Sequence, residues 1–480
     1  MLPIILGGEK VETEASVDVV NPANGQVIDR VCVAGREETK RAVEVAEEAF
    51  QEFSRLPLKD RTKILLRVAD LIEEDREKLE VTLSKESGKP IRDARVEVTR
   101  AIHLFRSTAE EAKLILEGKT YRVDGYEYPP GNERRLVFSV REPLGVVGAI
   151  LPFNFPANSF AHKVSPNIAV GNAIVVKPST STPITSLMLG EIMYRAGLPR
   201  GVLSVLPGGG ETVGSEIVEN RKVKGITFTG STAVGVGIAS RAVLTGKRIM
   251  MEMGGSDPII VMKDADLGKA VDVSVRARFE YSGQNCNAGK RIIVHESVYH
   301  KFVQEFTRKV KSLKVGDPLE ESTDLGPVIS HNAVMDMERV VKDSIQRGGK
   351  VYEGSKPDHG FYFPPTVIEN ANLDMVAMRT EVFGPIAPIA MFSDVEEAVQ
   401  MANATDYGLQ ASIFSSDVKL ALKVARELKA GAVIINDSTR LRWDSLPFGG
   451  VGMSGLGSRE GIRNTMLTLS EEKIVSVDLS

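Results

Sequence analysis

A chain of 480 residues is too long for one ordinary hydrophobic core, so its length predicts two large domains, or two domains plus a small appendage. Hydrophobic residues make up 42% and charged residues 26%, a balance typical of a globular protein and unlike that of a disordered or fibrous one. The net charge of -4 comes from well-mixed signs, which leaves no basic face and argues against nucleic-acid binding.

The N-terminal segment carries no targeting or membrane signal. MLPIILGGEKVETE has an apolar run of only a few residues and no basic segment before it. No stretch of the chain reaches the ~18 apolar residues needed to cross a bilayer. We therefore expect a cytoplasmic protein with no membrane partner.

The first part of the chain predicts a hairpin followed by a layer of helices. NPANGQ is typical of a hairpin turn, and the strand-like VIDRVCVA after it contains Cys32, which we interpret as a small core residue. From residue 37 to about residue 116, apolar residues recur every three or four positions while acids and bases cover the other face. This region is therefore predicted to be helical.

Short apolar strands separated by helical stretches begin at Val146. One series starts near residues 146, 173, 203, 225 and 248, a spacing that predicts a parallel sheet with right-handed crossovers. A second series starts near residues 258, 291, 387, 411 and 432. The predicted fold class is α/β, with two parallel-sheet domains in tandem.

Two segments fit neither sheet. Residues 121–140 alternate apolar and polar side chains around a Pro-Gly turn, and residues 464–480 end in a strand. Neither segment has an obvious partner in its own domain. We therefore expect a hairpin arm and a terminal strand that pair between the subunits of a homo-oligomer.

Cys286 stands among small and polar residues in YSGQNCNAGKR, where an inert core thiol would have apolar neighbours. Nearby glycines could aim its sulfur and backbone N–H groups at a ligand, although a lone cysteine is more often an ordinary core residue. The six histidines and two cysteines form no H-x-x-x-H or C-x-x-C pair, so we expect no metal site. A Cys–His hydrolase remains an alternative, because its partners need only meet in space.

A glycine-bearing turn after the strand ITFT offers a place for a phosphate. The strand ends at Thr229, and Gly230, Ser231 and Thr232 open a helix whose free N–H groups and positive end favour an anion. The turn does not match G-x-G-x-x-G. By itself it does not distinguish a nucleotide site from an ordinary strand–turn–helix connection.

Short motifs along nearly the whole chain stand in the order and approximate spacing of a known family. They are PFNFP at Pro152, VVKPS at Val175, FTGST at Phe228, MEMGG at Met251, GQNC at Gly283, EVFGP at Glu381 and PFGG at Pro447. With them the sequence resembles the NAD(P)-dependent aldehyde dehydrogenase superfamily, including its lactaldehyde and non-phosphorylating glyceraldehyde-3-phosphate dehydrogenases.

The resemblance implies two Rossmann-like parallel-sheet domains plus a small β oligomerisation arm. Residues 1–120 and 141–251 would form the cofactor domain and residues 252–440 the catalytic domain. Residues 121–140 and 464–480 would form the arm and terminal strand of a dimer or tetramer.

Hydride transfer from an aldehyde needs a tetrahedral adduct, and the resemblance implies that Cys286 forms it by attacking the carbonyl carbon. The Asn154 side-chain amide and the Cys286 backbone N–H would bind the resulting oxyanion. Glu252 would activate water to hydrolyse the thioester. A coenzyme A-acylating enzyme, whose known examples generally lack this glutamate, and a non-catalytic member of the fold remain the alternatives.

The resemblance also implies a site for NADP or NAD. Thr180 stands where NAD-preferring members often carry a glutamate, so Lys177 and Ser179 can donate to a 2'-phosphate, which favours NADP. Glu381 resembles the family's carboxylate that holds the nicotinamide ribose. The implied cofactor residues are Phe153, Lys177, Ser179, Thr180, Gly230, Ser231, Gly254, Glu381 and Phe383.

The loop NDSTRLRWDSLPFGG resembles those of relatives that act on lactaldehyde, glyceraldehyde 3-phosphate, succinic semialdehyde or phosphonoacetaldehyde. Arg440 and Arg442 can bind an anionic tail through charge-assisted hydrogen bonds, with Trp443 and Phe448 beside them. A salt-bridged surface loop or a subunit contact is the alternative interpretation of the two arginines.

Overall fold

The predicted helical layer is present in the computed structural model, which describes residues 1–480. Each helix buries the apolar face that its periodicity predicts, as Leu65, Val68 and Ile72 do in the second helix. None of the helices is long and apolar enough to span a bilayer. The α-helices are α1 (Arg36–Phe53), α2 (Leu58–Glu74), α3 (Arg76–Ser87), α4 (Ile91–Ile115), α5 (Pro156–Val170), α6 (Pro183–Arg195), α7 (Ser215–Glu219), α8 (Thr232–Val243), α9 (Leu267–Phe279), α10 (Glu296–Lys311), α11 (His331–Gln346), α12 (Val376–Arg379), α13 (Val395–Ala402), α14 (Val418–Glu427) and α15 (Ile462–Thr468).

Both predicted series of strands form, and several short strands add to them. The strands are β1 (Ile4–Leu6), β2 (Glu9–Val11), β3 (Ser16–Val20), β4 (Val27–Cys32), β5 (Thr120–Tyr121), β6 (Arg135–Pro143), β7 (Val146–Ile150), β8 (Ala173–Lys177), β9 (Leu203–Val205), β10 (Val223–Thr229), β11 (Arg248–Glu252), β12 (Asp257–Val261), β13 (Gly289–His295), β14 (Lys350–Glu353), β15 (Thr366–Glu369), β16 (Ile386–Phe392), β17 (Gln410–Phe414), β18 (Ala432–Ile435), β19 (Gly455–Gly457) and β20 (Ser470–Asp478).

The first sheet has eight strands in the order β19-β11-β10-β7-β8-β9-β1-β2. The five strands predicted from the first series are parallel to one another, as expected. The edge strands β2 and β19, and β1 beside β2, are antiparallel to their neighbours and only three residues long, too short to carry a strand period. The parallel strands end on one side of the sheet, which brings Lys177, Thr229 and Glu252 to the same edge.

The second sheet has seven strands in the order β14-β15-β16-β13-β12-β17-β18. All of its pairings are parallel except that of β14 with β15, and the five strands of the second predicted series are present. Cys286 lies in the turn that leads into β13. The chain passes from the first sheet to the second between Glu252 and Asp257. The proposed base Glu252 therefore belongs to the first sheet, and the proposed nucleophile Cys286 to the second domain.

The arm and the terminal strand pair with each other within the chain. β6 and β20 pair over nine residues in antiparallel register, and β5 adds a short pairing on the other edge of β6. Pairing between subunits, and with it the dimer or tetramer, stays a prediction.

Residues 464–480 end in a strand, as predicted, and that strand begins at Ser470. Residues 464–468 are helical because Ile462, Thr465, Met466 and Leu469 recur at helical spacing and bury their side chains. The preceding β19 pairs with β11, so the chain returns to the first sheet before it ends.

Candidate active site

One cavity of about 530 Å³ lies where the two sheets meet, and it collects most of the predicted site residues. All the predicted catalytic and cofactor residues line it, as do Arg440, Arg442 and Phe448. Trp443 does not, and its role as a substrate residue stays a prediction. Its side chain is 56% exposed because the loop turns Arg442 inward and the next residue outward.

The turn before Cys286 is held in an uncommon backbone conformation. Tyr281 and Ser282 have φ of 50° and 52°, in the left-handed region that non-glycine residues rarely adopt. Both are buried, and their hydroxyls donate to the carbonyls of Ser87 (2.8 Å) and Gly326 (2.6 Å). These contacts with other parts of the chain hold the backbone that leads to Cys286.

The Cys286 sulfur is half-buried in the cavity wall. Burial raises the pKa of its thiol to about 11, the nearby Lys290 ammonium lowers it, and Asp257, Glu381 and Glu252 raise it further. At neutral pH the thiol of the free protein is therefore mostly protonated. Attack on a carbonyl requires that this proton be removed.

Asn154 is positioned to offer one amide N–H to the cavity. Its Nδ2 donates to the carbonyl of Gln284 at 2.9 Å, which uses one of the two N–H groups. The buried Lys89 ammonium donates to the Asn154 carbonyl at 2.8 Å and so holds the peptide as well. The remaining N–H is a preorganised donor beside Cys286.

Glu252, at the end of β11, is a buried carboxyl group with a free oxygen. Its Oε1 accepts from the Glu460 backbone N–H at 3.3 Å, while Oε2 has no partner and the side chain is 3% exposed. Burial, followed by the charge of Glu460, raises the pKa of Glu252 to about 8. A carboxyl group with a near-neutral pKa and an unused oxygen is suited to act as a general base.

Glu460 itself remains ionised. Burial raises the pKa of Glu460, but the Lys163 ammonium at 2.7 Å and the Arg442 guanidinium lower it by more, so the net pKa lies well below its usual range. The negative charge beside Glu252 is therefore maintained.

The other half of the cavity has the features of a nucleotide site. Ser231 is the N-cap residue of α8 and its side chain makes no capping hydrogen bond, which leaves the first-turn N–H groups available to an anion. Burial lowers the pKa of Lys177 to about 8. Glu381 accepts from the Gly255 N–H at 3.1 Å, and a Cβ added to Gly254 would collide with the Glu381 carboxylate. Glycine at residue 254 is therefore required by Glu381.

At the opposite end, three arginines line the cavity, each held by one acidic residue. The pairs are Arg440 with Glu280 (2.6 Å), Arg442 with Glu460 (3.0 Å) and Arg100 with Asp444 (2.8 Å). Nε and Nη1 of Arg440 and Nε of Arg442 are buried without a partner. Because unpaired buried donors are costly, these nitrogens indicate a site for an acceptor.

His162 holds the second of these arginines in place. Its Nδ1 accepts from Arg442 Nη2 at 3.2 Å, which puts the ring proton on Nε2, 3.2 Å from Asp444 Oδ1. Burial lowers the pKa of His162 to about 4, so the ring is neutral. The imidazole thereby sets the orientation of the guanidinium without adding a charge.

Sequence reasoning missed several residues of this site. Arg100 and His162 come from α4 and α5, and Lys163, Lys290 and Glu460 are charged side chains that are buried only after folding. Nothing in their local sequence distinguishes them from surface residues. Only the pair His162 and Lys163, in a helix with no other ionisable residue, PANSFAHKVSPNIAV, gives a signal.

Comparison with known proteins gives consistent matches over the whole chain. A sequence profile described as Aldehyde dehydrogenase family matches residues 10–475. A lactaldehyde dehydrogenase of Methanocaldococcus jannaschii is 42% identical, over 99% of this chain and 100% of that protein. A 3-sulfolactaldehyde dehydrogenase of Priestia megaterium is 40% identical, over 99% of this chain and 98% of that protein. The crystal structure of the glyceraldehyde-3-phosphate dehydrogenase GapN of Methanocaldococcus jannaschii, complexed with NADP, superposes with a TM-score of 0.91 at 41% identity, covering 97% of this chain and 100% of that one.

Proposed function

This chain belongs to the aldehyde dehydrogenase family, and we propose that it oxidises a short aldehyde with an anionic group to the carboxylic acid, using NADP in preference to NAD. Family membership establishes an oxidoreductase that acts on aldehydes with a nicotinamide dinucleotide. The observation that carries the proposal of an anionic substrate is the set of guanidinium nitrogens of Arg440 and Arg442 that are buried in the cavity lining without a hydrogen-bond partner.

In the proposed mechanism the Cys286 thiolate attacks the aldehyde carbon, and the oxygen becomes an oxyanion. The free Asn154 N–H and the Cys286 backbone N–H stabilise that charge. The bound nicotinamide supplies the hydride acceptor, after which the acyl group remains on sulfur as a thioester. Glu252 then takes a proton from water, which attacks the thioester and releases the acid.

The residues at the other end of the cavity fit a dinucleotide. The uncapped N-terminus of α8 would receive the pyrophosphate, Lys177 the adenosine ribose and Glu381 the nicotinamide ribose. No carboxylate stands at Thr180 to repel a 2'-phosphate, and the similar GapN structure was solved with NADP. Both observations support NADP.

Thr180→Glu is expected to reverse the cofactor preference, because the new carboxylate would repel the 2'-phosphate and accept from the ribose hydroxyls of NAD. We expect KM for NADP to rise by at least about tenfold, while KM for NAD stays within about twofold. Initial rates with both cofactors test this. Ser181→Glu is the matched control, because it adds the same charge one residue further on, outside the cavity. Equal effects of the two variants would contradict the assignment of Thr180.

An anionic tail would pair with the nitrogens that Arg440 leaves free. The similar 3-sulfolactaldehyde dehydrogenase is named for an anionic substrate, which supports this proposal. Initial rates with sulfolactaldehyde, succinic semialdehyde and glyceraldehyde 3-phosphate, against lactaldehyde, glyceraldehyde and propanal, test it. Comparable kcat/KM values for the two groups would reject an anionic substrate.

A second candidate is an uncharged 2-hydroxyaldehyde. Each cavity arginine is already paired with an acid, and the similar Methanocaldococcus jannaschii protein is named for lactaldehyde. On this view the arginines are structural. The same panel separates the two candidates.

Arg440→Met is expected to lower kcat/KM for the anionic aldehydes by roughly 10- to 100-fold, the value of one charge-assisted hydrogen bond. Rates with propanal should change little. Arg440 is preferred to Arg442 for this test because its partner Glu280 is partly exposed, whereas the partner of Arg442 is the buried Glu460. Arg347→Met, which breaks an ion pair with Asp343 outside the cavity, is the matched control. A loss of equal size for charged and uncharged aldehydes would refute the role of Arg440.

We also propose a homo-oligomer assembled through the arm. The outer edge of β20 is unpaired, and Ile474, Val477 and Leu479 expose 40–65% of their surface. Sedimentation of the full chain and of a variant with charged residues at Ile474 and Val477 tests this proposal. Identical masses for the two would exclude the arm as the interface.

A further inference from the structure

Lys290 is a buried ammonium placed between the nucleophile and the cofactor half of the cavity. Its side chain has no exposed surface. Its Nζ donates to the carbonyl oxygen of Cys286 at 2.5 Å and lies 3.0 Å from Glu381 Oε1. Burying an ammonium group costs free energy unless hydrogen bonds or opposite charges compensate it. The two partners of Lys290 provide that compensation and indicate the role of its side chain.

The two partners of Lys290 belong to different parts of the proposed reaction. The Cys286 carbonyl is part of the peptide that carries the nucleophile. Glu381, whose Oε1 also accepts from the Gly255 N–H, would hold the nicotinamide ribose. One side chain therefore connects the nucleophile turn to the residue that orients the hydride acceptor.

We propose that Lys290 is a positioning residue that holds the Cys286 peptide and Glu381 in a fixed relation and supplies the positive charge that favours the Cys286 thiolate. This inference rests on the proposed role of Cys286 as the nucleophile. Lys290 is the charged group that acts most strongly on the thiol, and the next three, Asp257, Glu381 and Glu252, are acidic.

The signs of these charges give opposed expectations for two variants. Lys290→Met removes the ammonium and leaves the acidic neighbours of Cys286. The midpoint of thiol ionisation, the pH at which half of the Cys286 side chain is a thiolate, should therefore shift to higher pH. Removing an acid in Glu381→Gln also frees Lys290 from its ion pair and should shift the midpoint to lower pH. A purely structural disturbance of the turn would not produce shifts of opposite sign.

The test is the pH dependence of iodoacetamide alkylation in the cofactor-free protein, together with the ultraviolet absorbance of the thiolate. Cys32 is fully buried, and Cys286→Ala gives the background for both signals. Below the midpoint, Lys290→Met should react roughly three- to tenfold more slowly than the wild type at the same pH, and Glu381→Gln should react faster. Lys290→Arg keeps the charge and should restore most of the rate.

An unchanged profile in Lys290→Met, or shifts of the same sign in Lys290→Met and Glu381→Gln, would overturn the proposal. If thermal unfolding shows that Lys290→Met does not fold, Glu381→Gln alone decides by the direction of its shift. Neither measurement uses an aldehyde. A failure of the proposed function would appear as absent turnover with intact alkylation shifts, and a failure of the Lys290 proposal as intact turnover without them.

Discussion

Cys286→Ala is expected to abolish aldehyde oxidation, with kcat/KM falling on the order of 10⁴-fold or more, because Cys286 supplies the only thiol in the lining of the cavity. Binding of NADP, measured by calorimetry, should change by less than about threefold, since the sulfur is not one of the groups proposed to hold the cofactor. Formation of reduced cofactor measures the loss.

Cys32→Ala is the matched control for this variant. Cys32 lies at the end of β4, fully buried and away from the cavity, so its substitution should affect stability and not turnover. Wild-type rates in Cys286→Ala would rule out the covalent mechanism.

Glu252→Gln is expected to complete one hydride transfer and then stop at the thioester. A burst of about one reduced cofactor per active site should precede a steady state slowed by roughly 10²- to 10⁴-fold, the usual contribution of a general base. Rapid-mixing measurements resolve the burst, and mass spectrometry detects the acyl group on Cys286. A full steady-state rate in this variant would show that another group activates water.

The same residue predicts a pH dependence in the wild type. Only the ionised carboxylate can accept a proton from water, and burial together with Glu460 raises the pKa of Glu252 to about 8. Thioester hydrolysis should therefore slow progressively as the pH falls below about 8, while the burst amplitude persists.

If added coenzyme A accelerates the wild type and yields an acyl-CoA, the enzyme is of the acylating kind.

The parallel strands could be predicted from the sequence because buried strands such as AIVVK form continuous apolar runs at regular intervals. The pairing of β6 with β20 could not be predicted, because the two strands lie more than 300 residues apart and an alternating pattern does not identify the strand with which it pairs. The boundary between α15 and β20, which lies inside residues 464–480, could not be predicted either. A short helix and a strand adjoin there, and a four- to eight-residue apolar run is ambiguous between the two.

Some residues of the candidate site could be predicted from the sequence and others could not. Cys286, Glu252 and Asn154 stand in short motifs and could be selected from the amino-acid sequence alone. Arg100 reaches the cavity only because α4 packs against the first sheet's helical layer, and Trp443 leaves it because of a single turn of the loop. Local sequence does not encode such directions, so the substrate end was predicted less well than the catalytic centre.

The return of the chain to the first sheet has a consequence for the newly made protein. Glu252 receives its backbone hydrogen bond from Glu460, which lies 208 residues later in the sequence, close to the strand β19 that pairs with β11. Translation produces Cys286 long before it produces Glu460. A ribosome-bound chain therefore carries both Glu252 and Cys286 before Glu460, the hydrogen-bond partner of Glu252, has been synthesised.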